Sequence, residues 1–170
     1  MCDAMSRTEP EDSARKDAHS ALRRALLTFV SGLPQAELAR FSEQLELVLA
    51  ASSAQELSAA AQRLFTAQPS WGYHAPLGLV RAIHHSLSEH TLSSASTVCG
   101  VERLVSLQGR KLILLSNHLS FSDAHVLQEL LRRGGLEREA ERLTVIAGPK
   151  VFDDPGRRLG SAAFGLIKTP

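Results

Sequence analysis

The residues of this chain best placed to do chemistry are His118 and Asp123, five positions apart in Ser116-Asn117-His118-Leu119-Ser120-Phe121-Ser122-Asp123. A carboxylate hydrogen-bonded to one imidazole nitrogen sets the tautomer and leaves the other nitrogen free as a base. The elements that must position this pair lie between Lys111 and Arg133. The apolar run Leu112-Ile113-Leu114-Leu115 reads as a short buried strand. Ser116 to Ser120 reads as a polar turn, and an amphipathic helix is expected from near Ser122 to the breaker pair Gly134-Gly135. Strand, turn and helix make half of a βαβ unit, and the carboxyl end of such a strand is where open α/β sheets put their chemistry.

Counted from Asp123, helical spacing picks out Val126, Leu127, Leu130 and Leu131 as an apolar stripe. Asp123 is therefore expected on the inward face, with His118 as the partner that a buried charge needs. His125 lies about 200° around the helix from Asp123 and is expected to point away. A metal site made from His118, Asp123 and His125 is geometrically poor. The structural alternative is that Asp123 merely satisfies the helix dipole, with Ser120 or Ser122 as a cap.

The Asn117-His118 … Ser122-Asp123 stretch resembles the first motif of the glycerolipid acyltransferase family, which includes glycerol-3-phosphate and 1-acylglycerol-3-phosphate acyltransferases. A second stretch, Ala147-Gly148-Pro149-Lys150-Val151-Phe152-Asp153-Asp154-Pro155 running on to Phe164-Gly165-Leu166-Ile167-Lys168, resembles that family's second block. Its Ala-Gly, Lys-Val and Asp-Pro elements are most like the soluble, plastid-type glycerol-3-phosphate acyltransferases. The resemblance covers roughly residues 98–170 and implies direct acyl transfer without a covalent acyl-enzyme. In that reading His118 is the general base on an acceptor hydroxyl and Asp123 orients it. The donor is acyl-CoA or acyl carrier protein as co-substrate, with no other cofactor, and the acceptor is glycerol-3-phosphate or a lysophospholipid such as lysophosphatidate.

Asn117 and Ser120 beside the base, and Lys150, Arg157 and Lys168 in the second block, are the candidate substrate contacts. With Arg158, the last three form a locally cationic patch suited to coenzyme A and phosphorylated acceptors. The family's third and fourth blocks have no counterpart before Pro170. The chain is therefore expected to be a C-terminally truncated acyltransferase, and a non-catalytic fragment acting as a binding or interaction protein is the alternative. A serine hydrolase would need Gly-x-Ser-x-Gly, and the sequence has none.

Composition narrows the remaining classes. The formal charge of +1 and 5% aromatics do not describe a nucleic-acid binder. Cys2 and Cys99 are isolated thiols that suggest a reducing compartment, with Cys99 expected to be a small buried residue. No run approaches the ~20 apolar residues that span a bilayer. The expected location is cytoplasmic, or peripheral on a membrane.

The expected fold is α/β: a mostly parallel sheet flanked by helices, preceded by an N-terminal helical hairpin or small bundle. Residues 1–19 read as a disordered lead-in, 20–68 as helical, and 69–170 as the acyltransferase α/β domain. Three helices are expected in the second region. The first runs from about Ala21 to Val30, with Arg23 and Arg24 beside apolar neighbours that could meet a membrane surface. The second has Pro34 in its first turn and the stripe Leu38, Phe41, Leu45, Val48, Leu49. The third opens on the capping-box pattern Ser53-Ala54-Gln55-Glu56, buries Leu57, Ala60, Ala61, Leu64 and Phe65, and ends at Pro69.

Pro69 to Tyr73 reads as a turn-rich link, and 76–92 as a helix. His84, His85 and His90 on that helix are expected to be partly exposed and structural. Strands are expected at 101–107, 111–116, 143–147 and 165–168, with a solvated helix or loop at 137–142. Asp153 to Gly156 reads as a turn and not a metal site. The last strand is expected to be an exposed edge of an incomplete sheet.

Overall fold

The structure, a computed structural model, describes residues 9–66 and 71–170, with backbone alone at 9–11 and 89–91. The expected Pro69 stop and the His90 side chain fall outside the described parts. Helices α1 (Glu9–Phe29), α2 (Gln35–Ala51) and α3 (Ala54–Phe65) come first. Strand β1 (Gly72–His74) and helices α4 (Gly78–Thr91), α5 (Val101–Val105), α6 (Asp123–Arg133) and α7 (Glu137–Glu141) follow. The chain closes with β2 (Thr144–Ala147), α8 (Pro149–Asp153), α9 (Pro155–Ser161) and β3 (Gly165–Lys168).

Local chemistry explains most of the helical part. Ser53 Oγ accepts from the Glu56 amide at 3.2 Å, and Glu56 returns a bond to the Ser53 amide at 2.9 Å. This reciprocal cap holds the Glu56 carboxyl below its usual range, first through the Ser53 hydroxyl and then through its backbone amide. The α2 stripe buries Phe41, Leu45 and Leu49, and α3 buries Leu57, Ala60, Ala61 and Leu64. Phe65, expected to be buried, is exposed. Helix α1 starts at Glu9, so the described part of the expected disordered lead-in is helical, and the helix is about twice as long as its apolar segment suggests.

These helices do not form a separate unit. Leu22, Phe41, Leu45, Leu57, Leu79, Val80, Ile83, Leu159 and Phe164 pack into one buried cluster that joins the N-terminal helices to α4 and α9. Three arginines fasten the arrangement, each donating to carbonyls that a helix C-terminus leaves unpaired. Arg15 donates to Ala50 O and Ser52 O behind α2, at 3.1 and 3.3 Å. Arg133 donates to Leu92 O and Ser93 O behind α4, at 3.3 and 2.8 Å. Arg158 reaches Arg63 O and Leu64 O behind α3, both at 2.7 Å, and Phe152 O at 2.5 Å. Arg158 is therefore buried as a clasp and is not part of a surface cationic patch.

The sheet is small and mixed, in the order β1-β3-β2. β2 and β3 are parallel, with Ala147 opposite Lys168, and β1 and β3 are antiparallel, with Tyr73 opposite Ile167. The strand expected at the edge, β3, is thus the central one. Gly165 is required where β1 and β2 close over β3: a Cβ there would come within 2.8 Å of Thr144 Oγ1 and 2.9 Å of the Tyr73 ring.

Two expected strands are not strands. Residues 101–105 form α5, whose Val101 and Leu104 pack on a satellite cluster of Leu131, Leu136 and Ala140. Residues 111–116 are extended, unpaired and exposed. Without those two strands the sheet stays three-stranded and mixed instead of mostly parallel. Cys99 is also exposed, contrary to expectation.

Candidate functional site

The loop from Ser116 to Ser122 is folded around one carboxylate. Asp123 is the first residue of α6, where amides are unpaired and anions are favoured. Its side chain turns back over its own loop. Asp123 Oδ2 accepts from the Leu119 amide at 2.7 Å and lies 2.9 Å from His118 Nδ1. Asp123 Oδ1 accepts from the Ser120 amide at 3.0 Å and from Ser120 Oγ at 3.1 Å. Ser120 Oγ in turn accepts from the Ser122 amide at 3.1 Å, while Ser122 itself makes no side-chain cap. The backbone bond from Ser120 leads the effects that hold Asp123 down to about 2, with the Leu119 backbone bond and the His118 and Ser120 side-chain bonds adding to it against burial.

An ionised carboxylate accepts and does not donate, so His118 Nδ1 carries the proton of the shared bond. Nε2 of the neutral ring is then a lone pair. The His118 side chain is 74% exposed against 29% for Asp123. An exposed, oriented imidazole backed by a fixed anion is a general-base arrangement.

The inward face of α6 differs from the expected stripe. Val126 is exposed, whereas Gln128, Glu129 and Leu131 are buried. His125, expected to point away, faces the core: its Nε2 donates to Gly160 O at 3.2 Å, and its ring meets Phe164 at 4.7 Å and His84 at 4.6 Å. Asp123 consequently sits beside the loop and not on the buried stripe. The phase is set by polar residues that find partners indoors. Gln128 Nε2 donates to Ala140 O at 2.9 Å, and Glu129 takes Arg132 at 3.1 Å and Arg133 at 3.0 Å. His84, expected to be partly exposed, is buried, and burial above all pushes its pKa down to about 3.

The remaining candidates divide into two groups. Arg157 comes to the loop through Phe121: its guanidinium carbon lies 3.7 Å over the Phe121 ring, whose edge-on neighbour at 6.0 Å is His118. Phe121 went unassigned in the sequence, although an aromatic between two serines of a polar motif was a visible signal. Asn117 is exposed beside His118. Lys150 and Lys168 belong instead to the carboxyl end of the β2–β3 pair, where the Lys168 ammonium lies 5.0 Å over the Phe152 ring.

Asp154 is a helix cap, accepting from the Arg157 amide at 2.7 Å, and the Asp-Pro that precedes α9 was a readable start signal. Among the described residues no group of three or more His, Cys, Asp or Glu is placed to hold a metal ion. Among them, too, no helix is long and apolar enough to cross a membrane. No family model matches the chain, and neither a curated protein nor a solved structure matches it.

Proposed function

We propose that this chain transfers an acyl group from the thioester of coenzyme A or acyl carrier protein to a hydroxyl of glycerol-3-phosphate or lysophosphatidate. The observation that carries the reading is the 2.9 Å contact between His118 Nδ1 and Asp123 Oδ2, on an exposed loop that leaves Nε2 unencumbered. The acceptor hydroxyl gives its proton to His118 Nε2 as its oxygen attacks the thioester carbonyl. The C–S bond breaks as the ester forms, and the departing thiolate takes the proton back from His118. Asp123 stays ionised throughout and holds the imidazole's orientation. Arg157, stacked on Phe121, offers a cation beside this centre for an anionic acceptor or for coenzyme A.

The test is thiol release from an acyl-CoA, run with glycerol-3-phosphate and with lysophosphatidate, on the chain and on His118→Ala. Acceptor-dependent release that disappears in the variant supports the reading. Release that survives His118→Ala sinks the base assignment. One observation favours a second reading, an interaction protein without catalysis: the apolar run before His118 is uncovered. Absence of release from the unaltered chain would select it.

A further inference from the structure

The extended segment before the candidate base has the chemistry of a membrane contact. Ile113, Leu115 and Leu119 are 87%, 93% and 88% exposed, and Phe121 follows at 50%. Leaving several large apolar side chains in water on one segment is costly, and such patches mark binding surfaces. Between Glu102 and Asp123 the sequence has no acidic residue, while Arg103, Arg110 and Lys111 give it three cations. Arg110 and Lys111 are exposed immediately before the apolar run. The same segment therefore presents cations at one end and apolar side chains along the rest.

We infer that residues 110–121 dock this protein on an anionic bilayer surface, with Arg110 and Lys111 at the lipid phosphates and Ile113, Leu115, Leu119 and Phe121 among the upper acyl chains. Charge complementarity selects this occupant. Depth follows from the backbone. Among the described residues, Leu112 to His118 make no main-chain hydrogen bond, so their amides and carbonyls must keep water and the segment stays at headgroup level. Helix α1, the membrane candidate in the sequence, is otherwise engaged: Leu22 is buried in the core and Arg23 pairs with Glu46. Docking through 110–121 puts His118 at the lipid surface, which suits a lipid acceptor. Only that last point rests on the proposed acyl transfer.

The experiment is cosedimentation of the full chain with phosphatidylglycerol-containing vesicles and with pure phosphatidylcholine vesicles, without substrate. Binding is expected to the anionic vesicles and to weaken with salt. At ~1 kcal/mol per cation near the surface, Arg110→Glu with Lys111→Glu should weaken it roughly thirtyfold or more. Ile113→Ser with Leu115→Ser should weaken it about tenfold or more, and both residues are too exposed for the fold to depend on them. Arg24→Glu on α1 should leave it unchanged, and because binding is scored without substrate, a failure of acyl transfer is read separately. The inference is overturned by equal binding to both vesicles, by no binding, or by anionic binding that these segment variants do not move. It is also overturned if sedimentation shows a dimer that Ile113→Ser with Leu115→Ser dissolves, because a second copy then covers the segment.

Discussion

Two histidine clusters flank α6 and use the same side chain in opposite ways. On the outside, His118 shares a bond with a carboxylate that the loop backbone keeps ionised. On the inside, His84 and His125 meet ring to ring against Phe164, and among the described residues no carboxylate bonds to either. Ser88 donates to His84 O at 2.9 Å and lies 3.2 Å from His84 Nδ1, and His125 donates to Gly160 O. Burial drives the His84 pKa down to about 3 and lowers that of His125 as well, so the inner rings stay neutral as packing groups. The outer pair has the polarity and access that proton transfer needs. What separates the carboxylate-backed, water-exposed histidine from the packed ones here is the neighbouring anion and the water, set by half a turn of one helix.

The largest effect that can break this contrast is on rate. His118→Ala should lower acceptor-dependent thiol release by ~10²–10⁴, whereas His84→Leu should leave the rate unchanged once the protein is folded. Next comes the Arg158 clasp, which ties α9 to the ends of α3 and α8. Arg158→Leu removes the donor from the buried carbonyls of Phe152 and Leu64 and from the half-buried carbonyl of Arg63, and urea titration should show a loss of about 3 kcal/mol.

A smaller effect reads the inner cluster by pH. His84 has a folded pKa below its unfolded value near 6.5. Between those values the unfolded chain binds more protons, so stability falls with falling pH across the window from about 6.5 down to about 3. From pH 7 to pH 5 this contributes a loss of about 2 kcal/mol, which His84→Leu should remove from the urea midpoints. Asp123 has the same sign in a lower window, because its folded pKa also lies below the unfolded one: its contribution is present above its unfolded pKa near 3.9 and is lost as pH falls toward about 2. The smallest change is at the α3 cap, where Ser53→Ala should cost about 1 kcal/mol, seen by the same titration with no effect on thiol release.

How much of this was legible follows from what kind of signal carried it. The α2 stripe and the Ser53–Glu56 box are local patterns, and they formed as read, apart from Phe65. The strands at 144–147 and 165–168 were readable from short apolar runs between Gly or Pro punctuation. The contact of His118 with Asp123 was readable from spacing, but its reason was not: Asp123 faces the loop because α6 is rotated by the indoor partners of Gln128 and Glu129. Apolar periodicity alone does not see such partners. Leu112 to Leu115 has strand composition, yet strand formation needs an edge that pairs with it, and no window of sequence contains that information. β1 is three residues long, too short to stand out from the turn-rich link that the composition of Pro69 to Tyr73 suggested. The three arginine clasps join residues far apart in the chain and have no local signature.

The central claim is that Asp123 holds the His118 imidazole by its Nδ1–H and leaves Nε2 free. Long-range ¹H–¹⁵N NMR on the chain labelled at histidine, with His118 assigned by the His118→Ala spectrum, reads this directly. The account predicts that the neutral ring carries its proton on Nδ1, and that this preference is lost in Asp123→Ala. A neutral His118 ring protonated at Nε2, or a tautomer indifferent to Asp123→Ala, would contradict it.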